Sequence, residues 1–250
     1  MHMNLENLTQ QIKTKPDLEF GTIFSRSIEL FKKVWLQGFI ILLLTFVVIL
    51  PFYLVMYIPM IAMGITDPEV FQHNELPTMV TISMVICMPV LILGVTTFTL
   101  ALNAAFLKMC REKDLGEAVS DDYFYFFKEG RLGKVFILSL YMLGLTLLGA
   151  LACGIGAFYV MVPLSLLPAF LAFSNHLSPL EMVKASFTLG NKNWLVIFGL
   201  VIVSAFVAQL GFILCCVGVL FTAMLGKVPT YYMYKDGVGF NEVEDNSSLL

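Results

Sequence analysis

An all-α polytopic transmembrane bundle of about six spans, with both termini cytoplasmic, is predicted by three observations. Of the 250 residues, 58% are hydrophobic and only 13% charged, against roughly 25% charged in a typical soluble domain, and the mean hydropathy is +0.85. Uncharged runs extend from Val34 to Thr66, Leu76 to Leu107, Val135 to Leu180 and Asn193 to Gly226. Each exceeds the roughly 20 apolar residues that one membrane-crossing helix needs. With six spans, all 15 Lys and Arg residues fall on one side, as the positive-inside tendency requires.

In chain order, residues 1–16 are expected to form a disordered tail, residues 17–236 a six-span membrane domain, and residues 237–250 a short acidic tail. Charges throughout the first 33 residues argue against a signal peptide and leave the first span to direct insertion. The runs beginning at Val135 and Asn193 are too long for one crossing. As single helices they would reach roughly 50 to 70 Å at about 1.5 Å per residue, against a hydrocarbon core of about 30 Å. They are therefore expected to fold as hairpins, turning at Cys153-Gly154-Ile155-Gly156 and between Gly211 and Gly218, where glycine relaxes helical geometry. Spans are placed near residues 35–59, 80–107, 134–153, 156–174, 194–212 and 214–234. Basic residues then cluster before span one, between spans two and three, after span four and at the end of span six. The expected outer loop 62–79 carries Asp67, Glu69 and Glu75 and no basic residue.

Three polar islands precede the outward-going spans. In the first, Phe20, Ile23, Phe24, Ile28 and Phe31 form an apolar stripe. The second, SDDYFYFFKEGRLGK, offers Ser120 as a helix cap, an aromatic block from Tyr123 to Phe127, and Gly130 as a stop. The third has S-x-x-E capping-box spacing at Ser178 and Glu181 with Pro179 at the first helical position, and predicts a helix over 179–189 ended by Gly190. Its expected apolar face is Leu180, Val183 and Phe187. Amphipathic helix, outward span and inward span thus recur as three units, most clearly in the second and third. Trp35, Trp194, Tyr231, Tyr232 and Tyr234 suit an interfacial aromatic belt.

Groups able to perform chemistry are sparse. His2, His73 and His176 are divided between the two expected sides, and no H-E-x-x-H, G-x-S-x-G or phosphate-loop motif occurs. Cys87, Cys110, Cys153, Cys215 and Cys216 lack metal-ligand spacing and read as packing residues, with a bridge between Cys153 and Cys215 or Cys216 as the alternative. No catalytic, cofactor or metal site is expected. Lys227 is the one charge inside an expected span, and intramembrane charges are functional candidates; its amine could instead snorkel to the inner interface. Asn103 and Gln209 are the accompanying polar candidates, as ligand contacts or as interhelical hydrogen-bonding groups.

The stretch containing PAFLAFSNHLSPLEMVKASFTLGNKNWLVIFGLVIV and CCVGVLFTAMLGKVPTYYMYKD resembles uncharacterised bacterial six-span membrane families. It is also similar to the membrane domain joined to some glycerophosphodiester phosphodiesterases, whose catalytic barrel has no counterpart in this chain. Similar bacterial proteins are sometimes labelled beta-carotene cleaving monooxygenases, a chemistry that needs several histidines around iron. The resemblance implies a bacterial inner-membrane protein and carries over no active-site residue. The expected function is that of a non-enzymatic module interacting with membrane lipids or with a membrane protein partner, and not with nucleic acid. Lys32, Lys33, Lys128, Arg131, Lys184 and Lys192 would favour anionic headgroups. The alternative is a small transporter or permease for an apolar or amphiphilic solute.

Overall fold

The computed structural model describes residues 5–62, 78–117, 120–128, 130–152, 154–213, 218 and 222–240. The chain is an all-α bundle with eight helices among the described residues: α1 (Leu5–Thr14), α2 (Phe20–Ala62), α3 (Thr78–Leu115), α4 (Leu132–Leu151), α5 (Ile155–Phe173), α6 (Pro179–Lys192), α7 (Trp194–Ile213) and α8 (Val228–Gly237). Five of them, α2, α3, α4, α5 and α7, are long and apolar enough to cross a membrane. Their outward faces are apolar, as lipid contact demands: Val47, Leu147, Leu195 and Phe206 are all exposed.

Consecutive long helices pack as hairpins: α2 against α3, α4 against α5, and α7 against the segment that returns from it. Two of the turns depend on glycine. A Cβ on Gly149 would lie 3.0 Å from the backbone of Gly156 and Ala157, and one on Gly211 would lie 2.6 Å from the Gly218 carbonyl group. The turn near Gly154 falls where the sequence places it, and most of the stretch between Gly211 and Gly218 lies outside the described residues.

The polar segments between hairpins converge at one end of the bundle. Lys192 Nζ donates to the carbonyls of Ile12 (3.0 Å), Lys13 (3.3 Å) and Lys15, covering the C-terminal end of α1. Asn193 Oδ1 accepts from the Leu18 N–H at 2.9 Å. Arg26 pairs with Asp236 at 2.9 Å, and Lys134 Nζ donates to the Asn175 carbonyl at 2.6 Å. These contacts join segments far apart in sequence, so the polar end is a packed platform.

Several expectations are corrected. Residues 1–16, expected to be disordered, contain α1, whose Leu8 and Ile12 are fully buried. The first island is continuous with span one. α2 runs unbroken for 43 residues, and its buried stripe is Ile23, Ser27, Leu30 and Val34. The second island forms only the 3₁₀ turn Tyr125–Phe127, because Ser120 spends its hydroxyl on the Glu112 carboxylate at 2.9 Å and supplies no cap. The third island has its capping box, yet α6 continues through Gly190 to Lys192. Gly190 is a contact residue, 3.2 Å from Pro163 for any added Cβ. The buried face of α6 is Met182, Val183, Ala185, Ser186 and Leu189, while Leu180 is exposed.

The sixth expected span is broken in its described part into a 3₁₀ turn, Ala223–Lys227, and the short helix α8. Pro229 sits in the first turn of α8, where a missing N–H is tolerated and an incoming helix is not. Tyr231, Tyr232 and Tyr234 leave the belt and enter the core. Cys153, Cys215, Cys216, His2, His73, the outer loop 63–77 and the tail 241–250 lie outside the described residues. Of the remaining cysteines, Cys87 is exposed and Cys110 buried.

Candidate functional site

Between α3, α4, α5 and α7 the bundle leaves a cavity of about 610 Å³. Its walls are α3 between Val95 and Leu107, Met142 and Thr146 of α4, α5 between Ala157 and Pro168, and Gly226, Lys227 and Thr230 of the returning segment. A smaller cavity of about 260 Å³ adjoins it, against Ala205, Ala208 and Gln209 of α7. Val201, Gly226 and Lys227 line both.

The local sequence explains the opening. The break at Gly226-Lys227 before Pro229 lets the returning segment pass α7 without forming a full helix against it, and among the described residues only the Ser204 carbonyl, at 3.8 Å, stands near the missing Cβ of Gly226. Pro168 lies inside α5 and cannot donate to the Leu164 carbonyl, so both residues on this wall belong to a weakened stretch of helix.

Depth follows from counting along the helices. At about 1.5 Å per residue, Val201 and Ala205 lie roughly 10 and 16 Å beyond Trp194, and Pro168 and Ser165 roughly 8 and 12 Å from Phe173. Lys227, facing these residues, therefore lies roughly 8 to 16 Å along the helices from the polar end of the bundle.

The hydrogen-bonding capacity of the first cavity is unevenly spent. Thr96 and Thr146 donate to carbonyls one turn back at 2.7 and 2.8 Å, and Ser165 donates to the Val162 carbonyl at 2.7 Å. Thr99 bonds the Val95 carbonyl in the same way. Lys227, Asn103 and Thr230 make no such bond among the described residues, and all three line the cavity. Among the described residues, none that lines either cavity is acidic.

Of the sequence candidates, Lys227 and Asn103 share the larger cavity, and Lys227 and Gln209 share the smaller one. Asn103 and Gln209 share neither, and Lys227 connects them. The cavity hydroxyls were not singled out by sequence, because threonine in an apolar helix usually bonds its own backbone and carries no distinguishing signal.

A second polar constellation lies on the platform. Asp114, at the end of α3, accepts from Tyr231 and Tyr232 at 2.8 Å each and pairs with Lys235. Arg26 covers the Tyr232 ring at 4.1 Å, and Ser174 and Tyr234 share a hydrogen bond of 2.6 Å. Every donor and acceptor named here is occupied by another part of the chain, which marks the constellation as a clasp. The spacing Tyr231, Tyr232, Lys235 on one short helix was its only sequence signal.

No group of three or more metal-ligating side chains occurs among the described residues. Comparison of the chain with protein-family models, with curated proteins and with solved structures finds no match in any of the three.

Proposed function

We propose that this membrane protein is non-enzymatic and binds an amphiphilic, lipid-like molecule within the bundle, as the holding step of lipid handling or of solute passage. The observation that carries the reading is Lys227 on the wall of a 610 Å³ cavity, with Asn103 beside the same space. Binding sites are concave, mostly apolar spaces of about 300–1,000 Å³ with a few convergent polar groups. An intramembrane lysine without a partner is costly unless something occupies the site with it.

In the same reading the polar platform faces the cytoplasm of a bacterial inner membrane, with both termini on that side, supported by the concentration of Lys and Arg there. The reading is tested by extracting the protein from native membranes in mild detergent and identifying bound molecules by mass spectrometry. A stoichiometric amphiphile that is lost from Lys227→Met and Asn103→Ala is the expected result. An amphiphile retained by both variants, or none from the unaltered protein, refutes it.

A second reading, surface association with anionic lipid, is supported by the exposure of Lys32, Lys33 and Lys184 at the platform. Lys192 is committed to α1 and Lys128 to Asp122, so they contribute less than the sequence suggests. Charge removal at the three exposed lysines should weaken binding to anionic vesicles and leave cavity occupancy unchanged.

A further inference from the structure

The geometry points to a ligand whose head is a singly charged oxyanion with no cationic group, a monoanionic amphiphile held by Lys227 with its tail in the larger cavity. This rests on the amphiphile-binding reading and narrows it by charge. The unspent donors facing the cavity are the Lys227 ammonium, the Asn103 amide N–H groups and the Thr230 hydroxyl. The remaining hydroxyl protons are already given to helix carbonyls. A head rich in acceptors therefore finds partners, whereas a head that donates finds mainly neutral oxygen.

Charge count narrows the class further. Among the described residues, one ammonium lines the two cavities and no carboxylate does. In a low-dielectric site a single negative charge neutralises Lys227, a second would stand unpaired, and a zwitterion's ammonium would meet no acidic side chain. The nearest acidic residue on α3 is Glu112, about 13 Å beyond Asn103 at 1.5 Å per residue, and its carboxylate accepts from Ser120; Asp114, beyond it, is engaged by Lys235 and two tyrosines.

The test uses the full chain in phosphatidylcholine nanodiscs and three probes with one tail: oleate, oleyl alcohol and oleylamine. Mildly alkaline buffer keeps the carboxylate ionised. Oleate should bind about tenfold or more tighter than the alcohol, the order expected of one desolvated charge contact, and oleylamine weakest of the three. Lys227→Met should reduce oleate to the affinity of the alcohol, and Lys227→Arg should restore the preference. Equal affinity for oleate and alcohol in the unaltered protein, or a preference that survives Lys227→Met, overturns the charge assignment while amphiphile binding stands. Binding of none of the three overturns the amphiphile reading itself. Repeating the oleate titration in phosphatidylglycerol nanodiscs separates two sources of the oxyanion: competition indicates a phosphodiester head from the bilayer, and its absence a free carboxylate.

Discussion

Replacing Asp114 by alanine removes the acceptor on which three donors of the polar platform converge. Tyr231 Oη and Tyr232 Oη each donate to it at 2.8 Å, and Lys235 Nζ pairs with the same carboxylate. The Asp114 side chain is 17% exposed, and Tyr231 and Tyr232 are 0% and 3% exposed. Water therefore cannot fully replace the lost acceptor for either hydroxyl. Removing one partner of a buried ion pair costs about 3–5 kcal/mol, while the 29% exposure of Lys235 lets its ammonium turn to solvent. The expected loss is near the lower bound, about 3 kcal/mol. Tyr231→Phe and Tyr232→Phe each remove one hydrogen bond to a charged acceptor and should cost about 1.5 kcal/mol. Combining Asp114→Ala with Tyr231→Phe should cost less than the sum by about 1 kcal/mol, because phenylalanine leaves no orphaned hydroxyl. Reversible unfolding in mixed micelles by titration with a denaturing detergent, followed by circular dichroism, measures all four. Asp114→Ala within about 0.5 kcal/mol of the unaltered protein, the range of an ordinary surface change, or strict additivity with Tyr231→Phe, would refute the clasp.

Other outcomes follow from single contacts. Gly211→Ala drives a Cβ to 2.6 Å from the Gly218 carbonyl group and should destabilise the third hairpin more than Gly190→Ala, whose Cβ meets Pro163 at 3.2 Å; about 1–3 kcal/mol is expected for such overpacking, and equal unfolding midpoints would contradict the close approach. Lys192→Met removes the donor to the Ile12 and Lys13 carbonyls; amide exchange over residues 5–14 should accelerate, and unchanged protection would mean that α1 docks through Leu8 and Ile12 alone. The Ser178 backbone N–H and hydroxyl hold the Glu181 carboxyl below its ordinary value. Its folded pKa being depressed, the capping contribution is present above the unfolded carboxylate range and is lost as pH falls through the folded value. Exchange at the first turn of α6 should therefore rise only in acid, and Glu181→Gln should remove that dependence.

How much was legible in the sequence differs by element. The span start at Trp194, the turn near Gly154 and the capping box at Ser178 and Glu181 were readable, because each depends on local terms: run length, glycine geometry and a three-residue hydrogen-bond spacing. The face of α6 was not readable. Val183 and Phe187 are as apolar as a membrane-facing stripe requires, but α5 approaches closely at Pro163, which meets Gly190, and the small residues Ala185 and Ser186 are buried while Leu180 is exposed. The same holds for α1, whose polar sequence suggested a tail until Lys192 and Asn193 met the chain between Ile12 and Leu18.

The candidate site divides along the same line. Sequence alone marked Lys227 as a charge in an apolar segment and Asn103 and Gln209 as unusual polar residues, since the energetic cost of polarity in lipid depends on residue type and position in a span. Tertiary structure decided that Lys227 stands between two cavities while Lys235, eight positions on, is paired with Asp114. It also withdrew Tyr231, Tyr232 and Tyr234 from the interface into the core. Pairing and burial are set by which helices approach at each level of the bundle, and no term local to the chain encodes that approach.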